Sequence, residues 1–370
     1  MDREALYYWV ALNRIPGLGK IGRIRLLQAF GSPEAVFQAD PDRLEEVEGI
    51  RRNTASAIAG HKKDEGIERE LDALEKAGIG ILTFLDPAYP PLLKTIHDPP
   101  IFLYYKGRPS AKDAECLALV GSRSGSSYGI RTTERLARGL AQAGLTVVSG
   151  MAVGIDAAAH NGALMAYGRT VAVLGSGLDV IYPRENERLF HRIAESGMVV
   201  SEFPLGTLPE RQNFPIRNRI ISGMSLGVVI VEAASRSGSL ITARLALDQG
   251  REVFAVPGNV ESLKSSGTNS LIKQGAKLVE HVQDILEEIR WSGKGISEGP
   301  APEPAGQVGP PIHLPEEEAR IYALLEGRTL QVDEIVRLSG LGISSVLVLL
   351  LNLELKGLVK QLPGKFFTLP

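Results

Sequence analysis

The chain has 370 residues, of which 44% are hydrophobic and 23% charged, and its formal net charge is -2. That length calls for two or three separate cores, and the near-neutral balance excludes a general polycation, so any nucleic-acid site must be local. A single cysteine, Cys116, excludes a disulfide framework and a thiolate metal cluster.

The opening residues, "MDREALYYWV", carry early acids and no long apolar run, unlike a signal peptide. The longest aliphatic run, "VLVLLL" (346–351), is too short to span a bilayer. A cytoplasmic chain with no membrane partner is therefore expected. Residues 1–80 form the first predicted domain, which is helical. In "RIPGLGKIGRIRLLQAF" (14–30), Pro16, Gly17 and Gly19 break two apolar helical stretches, and "LEEVEGIRRNTASAI" (44–58) repeats the theme around Gly49. The pattern resembles tandem helix-hairpin-helix units in a SAM-like domain. Such a hairpin offers backbone amides at a helix N-terminus to phosphate, with Lys20, Arg23, Arg51 and Arg52 close by. The alternative is a hairpin that only turns the chain. Residues 81–110, rich in proline, read as an extended connector.

From 111 to 291 apolar strands alternate with amphipathic helices. "CLALV", "TVVS", "TVAVL", "LGVVIV" and "EVFAV" lack polar alternation, and Cys116 lies in the first as a small core residue. Strands of this kind joined by helices predict a doubly wound, Rossmann-like parallel sheet with ligands at the strand carboxyl ends. Those ends are uniform: "GSR" (Gly121, Ser122, Arg123), "SGMAVG" with Gly150 and Gly154, "GSG" (175–177) and "SRSGS" with Ser237, Gly238 and Ser239. Small residues that open helices let backbone N–H groups approach an anion. None matches a dinucleotide fingerprint or a P-loop.

The stretch "RQNFPIRNR" adds charge to this rim. Arg211, Arg217 and Arg219 fall within nine residues, Gln212, Asn213 and Asn218 add neutral donors, and Phe214 precedes a proline at a loop or helix start. Arginine pairs with phosphate and an aromatic face stacks on any base, which suits single-stranded nucleic acid. The alternative is that Phe214 is core and the arginines pair with Glu202, Glu210 or Glu232. His160 and His191 read as helix-surface or capping residues, and Asp156 as an N-cap. Residues 292–312, rich in proline and glycine, read as a flexible linker. Residues 313–370 predict three helices and a β-ribbon around Pro363-Gly364, a winged helix. Its third helix offers Ser344, Ser345, Asn352 and Lys356 but no arginine, which favours protein contact over duplex reading.

Taken together, "GSRSGSSYG", "SGMAVGIDAAAH", "GSGLDVIYP", "SEFPLG", "NFPIRNRIISGMS", "GSLITARLALDQGREVFAVPGN" and "SSGTNSLIKQGA" resemble the DNA-processing protein A (DprA/Smf) family. The resemblance implies an extended Rossmann-like core between a SAM-like domain and a winged helix. It implies a single-stranded DNA-binding protein that is not an enzyme, works as a homodimer and helps load the RecA recombinase during natural transformation, without a cofactor. It places Arg123, Arg211, Phe214, Arg217 and Arg219 in the DNA groove, with Phe214 stacked on a base. The rival is a nucleotide-binding or phosphoribohydrolase-like Rossmann enzyme with Glu232 as general base, but the Pro-Gly-Gly-x-Gly-Thr loop of that group is absent.

Overall fold

The computed structural model describes residues 2–289, 291, 315–325, 328–362 and 365–369. The predicted linker, 292–312, and the Pro363-Gly364 turn lie outside the described residues. The chain divides into two compact units, 1–296 and 297–370.

In the first unit six helices come first: α1 (Arg3–Arg14), α2 (Lys20–Phe30), α3 (Pro33–Gln38), α4 (Pro41–Glu45), α5 (Arg52–Ala59) and α6 (Glu65–Ala77). Sequence sets their ends. Asp2 and Ser32 cap α1 and α3 by accepting from Ala5 N and Ala35 N, and Gly78 closes α6 in the left-handed conformation. Their apolar faces do not close on themselves. Trp9, Leu12, Leu26 and Ile58 share one buried cluster with Phe102, Tyr104, Leu174 and Phe190 of the following region.

That region is a nine-stranded sheet. Two strands, β1 (Gly80–Thr83) and β2 (Phe102–Gly107), flank the short helix α7 (Pro91–Lys94). They correct the connector reading of 81–110, because both strands lie in the sheet, where β2 pairs antiparallel with β1 and with a later strand. Pro87, Pro90, Pro91, Pro99 and Pro100 fall between the two strands and Pro109 follows the second, so both ladders stay intact. The sequence continues with β3 (Cys116–Val120), α8 (Ser127–Gln142), β4 (Thr146–Ser149), α9 (Ile155–Met165) and β5 (Thr170–Leu174). Next come α10 (Glu187–Ser196), β6 (Met198–Ser201), α11 (Asn213–Gly223), β7 (Ser225–Ile230), α12 (Ser239–Asp248) and β8 (Glu252–Ala255). The unit ends with α13 (Ser266–Lys273), β9 (Lys277–Leu278) and α14 (Val282–Leu286). Strand β6, "MVVS", is one that the sequence reading passed over; only four residues long, it gives little pattern.

The spatial order is β1-β2-β6-β5-β4-β3-β7-β8-β9, with every pair from β6 to β9 parallel. Strands β3, β4 and β5 are buried at every residue, which explains their unbroken apolar runs. Cys116 is one of these core residues. Chain order runs outward from β3 in one direction and from β7 in the other. Between these two strands lies the topological switch point, where a doubly wound sheet opens a crevice at its carboxyl edge.

The second unit holds α15 (Glu316–Leu324), β10 (Leu330–Gln331), α16 (Val332–Ser339), α17 (Ile343–Leu355), β11 (Lys360–Leu362) and β12 (Phe366–Thr368). The strands order as β10-β12-β11 beside the three helices, a winged helix with its own core of Ile321, Ile335, Leu350, Val359 and Phe367.

One ion pair lies at the amino end of the large sheet. Asp113 is wholly buried and receives both Nε and Nη2 of Arg169 at 2.6 Å, while the same Nη2 also donates to Arg108 O. Removing one partner of a buried pair strands the other charge. Arg169→Ala is expected to cost about 3–5 kcal/mol of unfolding free energy, measured by urea denaturation. A loss under 1 kcal/mol would show that Asp113 finds another partner.

Candidate nucleic-acid interface

At the β3/β7 switch point the strand ends enclose a crevice of ≈ 450 Å³. It is walled by Gly121, Ser122 and Arg123 after β3, by Ala152 between β4 and α9, and by Asp156 in the first turn of α9. Phe214, Arg217 and Asn218 come from α11, Arg236, Ser237 and Gly238 from the β7–α12 turn, and Ser239 and Thr242 from the start of α12. The N-terminal turns of α9, α11 and α12 all reach this wall, so their dipoles favour an anion there.

Phe214 lies in the first turn of α11, whose N-cap is Gln212. The ring is half-buried and its floor is Gly175, where a Cβ would approach Phe214 Cδ1 to 3.0 Å. The guanidinium of exposed Arg123 sits 4.9 Å from the ring centroid, that of Arg217 5.8 Å, and the Tyr182 ring 6.1 Å. Stacked cations polarise the ring and hold it in place. Phe214 is thus neither a free ring nor a core ring; it is a clamped platform with part of its surface open.

The three arginines of the stretch separate completely. Arg217 is 5% exposed and lies under the rim. Its Nη1 donates to Gly150 O at 2.7 Å and to Val173 O, and its Nε to Asn218 Oδ1 at 3.1 Å. Burial draws its pKa down to about 10 against the opposing charge of Asp156, with Arg123 adding repulsion. At neutral pH it remains a cation. Arg219 is not brought to the crevice. It is buried in a seam where it pairs with Asp98 at 3.1 Å and with Glu202, and Lys20 of α2 joins the same two acids at 3.6 and 3.3 Å. The i, i+2 spacing on a helix sends the two side chains in different directions. Arg211 is exposed on the turn before α11 and also lies off the crevice wall.

Gly150 and Gly154 serve packing. A Cβ at Gly150 would come within 2.5 Å of Arg217 Nη1. At Gly154, where φ is +81°, it would meet the carbonyls of Ser122 and Arg123 at 2.5 Å. Asp156 sits in the first turn of α9, not at its N-cap, which is Gly154. Burial pushes its carboxyl above the usual carboxylate range, while Arg217 and the N–H groups of Ala152, Gly121 and Gly150 pull it back. His160 is a wholly buried core histidine, not a surface or capping one. Its Nδ1 lies 2.7 Å from Thr170 Oγ1, and burial lowers its pKa to about 3. Glu232 accepts from Ser126 N at 2.8 Å and from Ser126 Oγ, so this carboxylate anchors the start of α8.

The first hairpin is occupied as well. Lys20 is held in the Asp98/Glu202 seam, and Arg23 donates to Asn13 O at 2.8 Å. The sequence reading missed Arg236, exposed on the crevice wall inside the marked "SRSGS", and Tyr182 beside Phe214. Arg236 was legible, since it is a lone cation in a Gly/Ser loop of the same rim. Tyr182 was not, because its ring meets Phe214 only through the fold.

The region 80–290 matches the family described as DNA recombination-mediator protein A, residues 301–365 a DprA winged helix domain, and residues 10–59 a SAM-like helix-hairpin-helix tandem. Protein Smf of Synechocystis is 35% identical, covering 96% of this chain and 97% of its own. The solved structure of DprA from Streptococcus pneumoniae is 38% identical with a TM-score of 0.68, over 77% of this chain and 98% of that one. A structure of DprA from Helicobacter pylori, described for its single-stranded DNA binding mode, is 30% identical with a TM-score of 0.52, over 57% of this chain and 97% of that one. A parallel sheet with its crevice at the β3/β7 switch, the helix-hairpin-helix segment before it and the winged helix after it therefore have one common source: this chain belongs to the DprA/Smf family of DNA-processing proteins.

Proposed function

We propose that the chain binds single-stranded DNA across the β3/β7 crevice, as a binding protein and not as an enzyme. The observation that carries this reading is Phe214, clamped between Arg123 and Arg217 at the mouth of a crevice that three helix N-termini reach. Exposed Arg123 and Arg236 neutralise phosphate, the rim amides donate to its oxygens, and the open part of the ring stacks on a base. Among the described residues no helix or ribbon of base-reading side chains lines the crevice, so binding is tolerant of sequence. Family membership supports the further steps: a homodimer as the working unit, protection of incoming strands, and delivery to the RecA recombinase in natural transformation. Glu232, the base an enzymatic reading needs, is engaged in anchoring α8.

Titration with single- and double-stranded oligonucleotides at several salt concentrations tests the reading. Tighter binding to the single strand, weakening as salt rises, is expected; equal or tighter duplex binding would sink it. Arg123→Ala and Arg236→Ala should each flatten the salt slope by about 0.7 per lost phosphate contact. Phe214→Ala should lose roughly 1–3 kcal/mol of affinity at an unchanged slope. A folded Phe214→Ala with full affinity would remove the ring from the site.

The buried arginine should behave differently. Arg217→Ala leaves Asp156 without its counter-charge and two carbonyls without a donor, a loss of about 3–5 kcal/mol in stability. Arg123→Ala, fully at the surface, should unfold at the same urea midpoint as the wild type. Equal midpoints for all three proteins would show that Arg217 is not a structural cation.

A further inference from the structure

The helical segment holds a second cavity, of ≈ 520 Å³, whose walls share no residue with those of the crevice. Helix α1 brings Tyr7 and Tyr8 to it, α3 brings Phe37, and the turn between α5 and α6 brings His61. The four rings touch in a closed cycle. Centroids lie 5.6 Å apart from Tyr7 to Tyr8, 5.6 Å from Tyr8 to Phe37, 4.9 Å from Phe37 to His61 and 5.9 Å from His61 back to Tyr7. The Tyr7 hydroxyl accepts from Asp64 N at 2.7 Å and lies 2.9 Å from His61 Nε2, which fixes two of the rings. Burial lowers the His61 pKa, so at neutral pH its imidazole is an uncharged face. Tyr8, Phe37 and His61 are half-buried; a ring that served the core alone would be covered.

Aromatic faces suit a nucleobase or an organic cation, and the charge around them decides between the two. A nucleotide needs uncommitted cations for its phosphate. Arg3 and Lys63 on this wall are both engaged. Glu68 pairs with them at 3.0 and 3.1 Å, and Arg3 also meets Asp72 at 2.7 Å and Glu75 at 3.6 Å. Exposed Glu4 adds a further acid to the wall, so four carboxylates stand against two cations. That excess repels phosphate and draws a cation. Glu68, Asp72 and Glu75 follow at i, i+4 and i+7 on α6, one stripe that runs from the cavity toward the helix C-terminus.

We infer that this cavity takes an arginine or lysine side chain from a basic, extended segment of a partner protein. The cationic head lies against the electron-rich ring faces, and the flanking chain follows the acidic stripe. A free polyamine carries the same charge, but the volume is that of a pocket for a larger ligand, more than one alkyl chain fills.

The test is fluorescence anisotropy of the full chain with a labelled peptide of alternating glycine and arginine, beside its citrulline counterpart, which keeps the shape and loses the charge. The arginine peptide should bind and the citrulline peptide should not. Phe37→Leu keeps an apolar side chain and removes a π face, so it should weaken the arginine peptide by about 2- to 30-fold. Glu4→Gln should weaken it as well, and because Glu4 is exposed that variant decides the matter if Phe37→Leu does not fold by circular dichroism. Spermidine and adenosine monophosphate serve as competitors. Equal binding of the two peptides, or full affinity in both folded variants, overturns the proposal. So does a spermidine affinity above that of the peptide, which would make the ligand a free polyamine, or displacement by adenosine monophosphate, which would make it a nucleotide. Single-stranded DNA binding should be the same in the wild type and both variants; a matching loss of DNA affinity would fold this cavity into the DNA site and end its separate role.

Discussion

A single buried guanidinium organises the carboxyl edge of this sheet. Arg217 reaches from α11 beneath the rim, donates to carbonyls at the ends of β4 and β5, and sets its charge near Asp156. Asp156 in turn gathers amides from the loops after β3 and β4. Polar groups at the ends of buried strands need partners, because an unpaired one forfeits its hydration. Here the partners come from two side chains, and the loops after β3 and β4 are tied to each other, to the end of β5 and to α11 as a result. Gly150 is small because Arg217 passes beside it, and Gly154 is small because the β3 turn presses on it.

The exposed chemistry depends on that buried layer. Phe214 leans on Gly175 and on two guanidiniums, one inside and one outside. A ring held this way presents its open surface with little rotamer freedom left to lose on binding. Arg123 takes two roles at once, fixing the ring and facing solvent. A second layer of charge, Lys20 and Arg219 with Asp98 and Glu202, joins the helical segment to the sheet. Two cations that a linear reading offers to phosphate, Lys20 and Arg219, are consumed in that seam.

The two ends of the protein divide the work differently from what their motifs suggest. The first hairpin of the N-terminal segment is shaped for phosphate, yet Lys20 and Arg23 are bound internally. The winged helix has the outline of a duplex reader, yet its third helix is lined with leucine. In both cases the backbone motif persists while the side chains that would give it a nucleic-acid function point elsewhere or are absent. Shape and charge are separate requirements for nucleic-acid binding, and in this chain the sheet's crevice meets both.

Much of the architecture was legible from residues alone. Unbroken apolar strands between amphipathic helices dictate a parallel sheet, because only two-sided burial tolerates them, and Gly/Ser strand ends mark the edge where ligands gather. Seven ordered motifs identified the family. Strands β1 and β2 escaped because prolines around them mimic a connector, and β6 because four residues carry little pattern. The fate of each arginine in "RQNFPIRNR" was beyond any linear reading. Arg211, Arg217 and Arg219 share composition and neighbourhood, but Arg211 precedes α11 and the helix turns Arg217 and Arg219 about 200° apart. One therefore faces solvent, one lies under the rim and one enters the seam. The decision rested on Glu202, Asp98, Gly150 and Val173, residues distant in sequence that only the folded sheet brings within reach.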